Sequence, residues 1–269
     1  MSQSFKSTLP DLLSDLDGFR VELDHDRERA DIVLDRPPLN VITMRQREQV
    51  RAVIEELDRD DGVRIIVLRG EGKNFSSGGD IRAFLDSSAE KVSQLARNVA
   101  APQRCSKPVV AAIRGYCFGV GFEISLACDF RLLSDTAQVA LPEQRIGQIP
   151  GSGGSARLVK MIGLARTKDM TMRSRRVPAV QASEWGIALE CVPDAELEAR
   201  TDALVDELRG FSPLAQRTLK EVLNDADNAP LSVAIEMEGQ AYGRLRSSDD
   251  FREGVEAFYD KRKAQFKGS

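Results

Sequence analysis

Short apolar runs alternate along most of the chain with stretches whose apolar positions recur at helical spacing, and that alternation predicts an α/β architecture. Gly18 to Leu23 and Arg29 to Leu34 alternate in polarity around a charged turn, as two short strands would. From Asn40 the spacing becomes helical. Thr43 with Gln46 three residues later forms a capping box, and Val50, Val53, Ile54 and Leu57 share one face before Asp60-Asp61-Gly62 ends the helix. Arg64 to Leu68 then carries the run Ile65-Ile66-Val67-Leu68, whose β-branched content suits a strand covered on both faces. Val109 to Ile113 repeats the pattern after a long helical stretch. Phe130 to Leu133 follows a short helix that starts near Gly121, so strand, helix and strand succeed one another at the spacing of crossover units. From about Leu197 the strand signals vanish and helices follow, separated at Gly210-Phe211-Ser212-Pro213 and at Asn228-Ala229-Pro230. Three regions are expected: a flexible extension over 1–17, an α/β core carrying the active site over 18–200, and a helical region over 201–269.

Composition narrows the class. With 269 residues and 42% hydrophobic content the chain can build a substantial core. A formal net charge of −4 gives no general attraction to nucleic acid or anionic membrane, and no apolar run approaches the roughly 20 residues that span a bilayer. Cys105, Cys117, Cys128 and Cys191 are scattered through apolar stretches, which reads as core in a reducing compartment and predicts neither disulfides nor a metal site. A cytoplasmic protein is expected. The single histidine, His25, lies in Asp24-His25-Asp26-Arg27, a solvated turn, so a mechanism built on a buried histidine base lacks its residue. Trp185 reads as core.

Three segments carry candidate chemistry. Gly72 to Phe84, GKNFSSGGDIRAF, places glycines and an Asp directly after a buried strand, where the chain must turn sharply and expose backbone N–H groups. Lys107 to Asp135 contains a strand ending at Gly115 and a helix that begins within Gly119-Val120-Gly121, aiming free N–H groups above the sheet, where an anionic oxygen would be stabilised. Ala137 to Leu158, AQVALPEQRIGQIPGSGGSARL, sets Glu143 on a Pro-fixed turn ahead of another glycine-rich helix start. Gly151-Ser152-Gly153-Gly154 lacks the Lys-Ser/Thr ending of a phosphate loop, and Gly119-Val120-Gly121 lacks the third glycine of a dinucleotide fingerprint, so the nucleotide-loop readings fail on residues.

In this order and spacing the three segments resemble the enoyl-CoA hydratase/isomerase (crotonase) family, and the resemblance runs from Arg36-Pro37 to the C-terminal SSDDFREGVEAFYDKRKAQF. It implies a spiral of ββα repeats with a C-terminal helical trimerisation region, assembled as a homo-trimer or a dimer of trimers. It also implies an acyl-CoA substrate with no separate cofactor, coenzyme A being part of the substrate. The oxyanion hole would be the backbone N–H groups of Ser77 and Val120. Where the family usually has glycine this chain has Val120, whose branched side chain takes up volume beside the acyl group. Glu123 and Glu143 fall on the two carboxylate positions of the hydratases, and Glu123 sits among apolar neighbours that leave little solvated face. Coenzyme A would run along Gly79, Asp80 and Ile81, with Phe258 and Lys261 reaching a neighbouring subunit's ligand. The plainer reading of Phe258 and Tyr259 is helix packing, and of Lys261-Arg262-Lys263 a basic helix end. The implied reaction is addition of water to a 2-enoyl-CoA. A double-bond isomerase, a dehydratase, an acyl-CoA hydrolase, an enzyme for a cyclic or aromatic-derived acyl group, and a non-catalytic RNA-binding relative are the alternatives, the last opposed by the net charge.

Overall fold

A computed structural model describes residues 12–269, and the expected extension over 1–17 therefore lies mostly outside the described residues. Its last residues are pinned. Asp17 accepts hydrogen bonds from Thr43 Oγ1 and Arg36 Nη2, and its N–H donates to Gln49 Oε1 at 2.9 Å, while Leu13 and Leu16 pack on the core.

β1 (Phe19–Asp24) pairs antiparallel with β2 (Arg29–Leu34), and helix α1 (Met44–Arg59) leads to β3 (Ile65–Gly70), parallel to β2. Thr43 caps α1 by accepting the Gln46 N–H, the bond the capping box predicts. The long helical stretch expected next is three short helices, α2 (Ala89–Ser93), α3 (Leu95–Val99) and α4 (Ala101–Arg104). Beyond them come β4 (Val109–Ile113), β5 (Tyr116–Phe118), helix α5 (Val120–Leu126), β6 (Phe130–Ser134) and β7 (Gln138–Ala140). A 3-10 turn over Glu143–Ile146 precedes α6 (Gly154–Met172), β8 (Val177–Pro178), α7 (Ala179–Glu184) and β9 (Glu190–Val192). The chain finishes in α8 (Leu197–Arg209), α9 (Pro213–Ala226), α10 (Leu231–Leu245) and α11 (Asp249–Tyr259). The main sheet has the order β1-β2-β3-β4-β6-β9, parallel except at β1, and a smaller sheet has the order β5-β7-β8.

The continuous apolar runs have a simple cause. Successive residues of a strand point to opposite faces, and here both faces are covered. Ile66, Leu68, Ala111 and Ile113 pack with Val53, Ile54 and Leu57 of α1, whereas Ile65, Val67, Val110, Ala112 and Leu132 pack with Leu197, Leu204 and Val205 of α8. Each fully buried aliphatic side chain contributes about 1.5–3 kcal/mol. An exposed pair such as Arg20–Glu71 contributes about 0–1 kcal/mol, so the aliphatic register holds the sheet and the surface ion pairs decorate it.

Helix α8 crosses the boundary expected at residue 200, and because it covers one face of the sheet the core extends to Arg209. The helices after it are tied down by Lys220, whose ammonium donates to the carbonyls of Pro102 and Lys107 at 2.8 Å each and to Asp129 Oδ2 at 2.7 Å. Trp185 is only partly buried, its ring covered by the guanidinium groups of Arg166 and Arg175. All four cysteines are free, three of them buried, and burial pushes the Cys105 thiol up to about 12. His25 is exposed. No described helix is long and apolar enough to cross a membrane, and no cluster suited to a metal ion occurs among the described residues.

Candidate active site

The segment Phe75 to Asp80 is stitched to its neighbours on both sides by backbone bonds. Phe75 and Ser76 donate to the carbonyls of Arg114 and Tyr116, and Phe118 donates back to Ser76. Across the other edge, Ile42 donates to the Gly78 carbonyl at 2.9 Å and Asp80 donates to Ile42 at 3.1 Å, a parallel bridge that pairs Ile42 with Gly79. In such a bridge the flanking groups face the partner, and the N–H of the bridged residue turns the other way. The Gly79 amide has no hydrogen-bond partner among the described residues and faces a cavity of about 740 Å³ that Gly79 lines. Ser77 differs from its expected role. Its N–H donates to the Leu39 carbonyl at 2.8 Å, so that amide is already committed and Gly79 holds the free one.

Helix α5 starts against this loop because glycines let the two backbones touch. A Cβ on Gly121 would lie 2.7 Å from the Ser76 Cβ, and one on Gly119 would lie 3.7 Å from the Gly78 Cα. Gly119 also has φ +50 and ψ −127, a conformation open to glycine and strained for other residues. As the first residue of the helix, Val120 has an N–H without an intrahelical acceptor, and it lines the same cavity. Its Cγ1 would be 3.6 Å from a Cβ on Gly79, so Val120 and Gly79 form adjoining parts of one wall.

Both candidate carboxylates line this cavity, and their settings differ. Glu123, only 3% exposed, is one turn into α5. Its Oε1 accepts the N–H groups of Ser152 at 2.7 Å and Gly154 at 3.1 Å. Burial pushes its pKa above the usual carboxylate range, while those two N–H groups and the charges of Arg47 and Arg157 pull it back. Glu143 opens the 3-10 turn after Pro142. Its Oε2 is buried and has no partner, and its Oε1 is 3.1 Å from the position of a Cβ on Gly119. Burial pushes Glu143 up to about 7, opposed by its own backbone N–H and assisted by the Glu123 charge.

Of the residues expected to meet coenzyme A, Gly79 and Ile81 line the cavity, whereas the Asp80 side chain accepts the Arg82 N–H at 3.2 Å. Phe258 and Lys261 stand elsewhere. Phe258 is 79% exposed and borders a separate cavity with Phe211 and Tyr242, and Lys261 follows the end of α11 at φ +53. The exposure of Phe258 and Tyr259 also sets aside their reading as helix packing within one chain. Another cavity of about 740 Å³ opens between α6 and α9, but its carboxylates Asp129 and Asp227 are bound by Lys220 and Lys160. Sequence reasoning missed Arg47, a buried cation in the wall of the site whose guanidinium sits over the Phe84 ring at 5.4 Å. Its signal was a charged residue on the apolar face of an otherwise amphipathic helix, one turn before Val50 and Arg51.

Comparison with known proteins gives a consistent picture. The sequence model of the enoyl-CoA hydratase/isomerase family matches residues 27–269. A Bacillus subtilis protein named "Probable enoyl-CoA hydratase" is 31% identical over 92% of this chain and 98% of its own length. The carnitinyl-CoA dehydratase of Proteus mirabilis is 34% identical over 88% of this chain and 94% of its own. The crystal structure of an enoyl-CoA hydratase from Bacillus anthracis superimposes with a TM-score of 0.87 at 30% identity, covering 94% of this chain and all of the other.

Proposed function

Because the chain belongs to the enoyl-CoA hydratase/isomerase family and has its α/β fold, we propose that it adds water across the 2,3 double bond of a 2-enoyl-CoA thioester. The observation that carries this reading is the pair of carboxyl groups on one cavity in different surroundings, one bonded to two backbone N–H groups and the other with a buried oxygen left unbonded. Glu123 is held by two N–H groups that favour its ionised form, and Glu143 is pushed up to about 7 by burial. In this assignment Glu123 orients a water and takes its proton as the oxygen attacks the β-carbon, while Glu143 delivers a proton to the α-carbon. The amides of Gly79 and Val120 receive the thioester oxygen as it becomes an enolate. Removal of one such donor costs about 2.7–4 kcal/mol of transition-state stabilisation, so these two amides form the dominant electrostatic contribution.

The same groups run the reaction backwards by microscopic reversibility, and the likeness to carnitinyl-CoA dehydratase supports dehydration of a 3-hydroxyacyl-CoA as the second reading. No separate cofactor enters either scheme. Leu219, Leu223, Leu231, Ile235 and Tyr242 stand exposed on α9 and α10, and we assign this apolar face to self-association as a trimer or a dimer of trimers. Phe258 and Lys261 would then meet the coenzyme A of a neighbouring subunit. The test is loss of the conjugated enoyl-thioester absorbance with crotonyl-CoA in wild type, Glu123→Gln and Glu143→Gln. Wild-type hydration with both variants impaired supports the assignment, and two variants at the wild-type rate overturn it.

A further inference from the structure

A buried cation without an acceptor is costly, so native proteins give buried cations partners. Arg29, Arg47, Lys107, Arg131 and Lys220 are the buried side-chain cations among the described residues. Four of them are satisfied within the chain. Arg29 is paired with Asp31, Lys107 donates to the carbonyls of Leu57 and Asp60, Arg131 donates to those of Ile187, Ser125 and Cys128, and Lys220 holds two carbonyls and Asp129. Arg47 is the exception. It is 6% exposed and, among the described residues, makes no hydrogen bond or ion pair and leaves its Nε buried without a partner.

The guanidinium is also placed for a ligand. Its Nη2 lies 2.5 Å from where a Cβ on Gly79 would stand, so the missing side chain of Gly79 makes its room. Gly79, Val120, Glu123 and Phe84 line the cavity beside it. Burial lowers Arg47 to about 10, so it is still charged near neutral pH, with Glu123 the carboxylate that sustains it. Glu123 does not take up the fork of donors, because its Oε1 is occupied by the N–H groups of Ser152 and Gly154 and no hydrogen bond joins it to Arg47.

Building on the hydration reading, we propose that Arg47 binds a carboxylate carried by the acyl group, so that the substrate is a short 2-enoyl-CoA bearing a second acid. A guanidinium presents donors in a planar fork that a carboxylate matches with two parallel bonds. The proximity of Nη2 to Gly79 and Val120 puts that second acid only a few carbons from the thioester carbonyl. An acyl group ending in a quaternary ammonium would meet a like charge, and a plain alkyl end would leave the guanidinium unpaired.

The test compares two 2-enoyl-CoA thioesters of equal chain length, one ending in a carboxylate and one in a methyl group, in wild type, Arg47→Met and Arg47→Lys. Wild type should favour the carboxylated substrate in kcat/KM by about 10- to 100-fold, the range of a charge-assisted pair. Arg47→Met should erase or invert that ratio, and Arg47→Lys should keep part of it. Equal losses on both substrates in Arg47→Met, or a wild type indifferent to the carboxylate, overturn the proposal. If neither thioester is hydrated, the reaction assignment fails by itself, and calorimetric binding of the corresponding saturated thioesters still decides Arg47. Tighter binding of the carboxylated thioester, abolished in Arg47→Met, supports the proposal, and equal binding refutes it.

Discussion

The two walls of the cavity solve opposite problems with the same side chain. On one wall, Glu123 rises from a helix whose first turn is locked to the Phe75–Asp80 loop, and two backbone N–H groups reach its Oε1. On the other, Glu143 sits in a short 3-10 turn and leaves a buried oxygen without any donor. Burial alone would push both acids up. The difference teaches that the N–H groups of Ser152 and Gly154 oppose the effect of burial on Glu123, whereas the buried Oε2 of Glu143 has no such donor, so two acids in one pocket meet unlike surroundings.

Removing the carboxylate that two N–H groups hold should have the largest effect. Glu123→Gln should lower kcat for hydration by about 1,000-fold, within the range for a general base, read from single-substrate kinetics with unchanged circular dichroism. Loss of less than tenfold would mean the helix wall only shapes the pocket. Next come the amides. Replacing the Gly79 peptide N–H by an ester oxygen through semisynthesis should cost about 100- to 1,000-fold in kcat, whereas the same replacement at Ser77 should lower thermal stability, since that N–H is bonded to Leu39. The reverse pattern would return the donor to Ser77.

The Glu143 wall gives a pH signature. With Glu143 pushed up to about 7 and needed as an acid, kcat/KM should fall as pH rises through 7. A flat profile from pH 6 to 8 would break the contrast between the walls. The smallest effect is on stability. A carboxyl whose folded pKa is raised above its unfolded value destabilises the fold once the pH exceeds the unfolded pKa, and the penalty stops growing above the folded one. Glu143→Gln should therefore raise Tm at pH 8 and change it little at pH 4, as differential scanning fluorimetry would show.

Much of this was legible in the chain. The runs Ile65 to Leu68 and Val109 to Ile113 announced strands buried on both faces, and Thr43 with Gln46 announced the start of α1, because those signals are local and strong. Strands β5, β7, β8 and β9 were missed because two or three residues are too few to show a period, and they exist by pairing with distant segments. Glu123 stood out as a carboxyl among apolar neighbours, whereas Glu143, followed by Gln144 and Arg145, was singled out by the family resemblance of its Leu-Pro-Glu turn. The choice between the Ser77 and Gly79 amides was not legible. It depends on the carbonyls of Leu39 and Ile42, which come from another part of the chain. The orphaned guanidinium of Arg47 was equally hidden, because a partner's absence is a property of three-dimensional surroundings.

The Lys220 ammonium has a consequence for the order of assembly. It joins carbonyls and a carboxylate that lie 118, 113 and 91 residues away along the chain. Closing loops of that length is entropically uphill until other contacts have gathered the ends, so this latch can shut only on a finished sheet. Lys220 thus ties the last helices to segments that the finished sheet brings together.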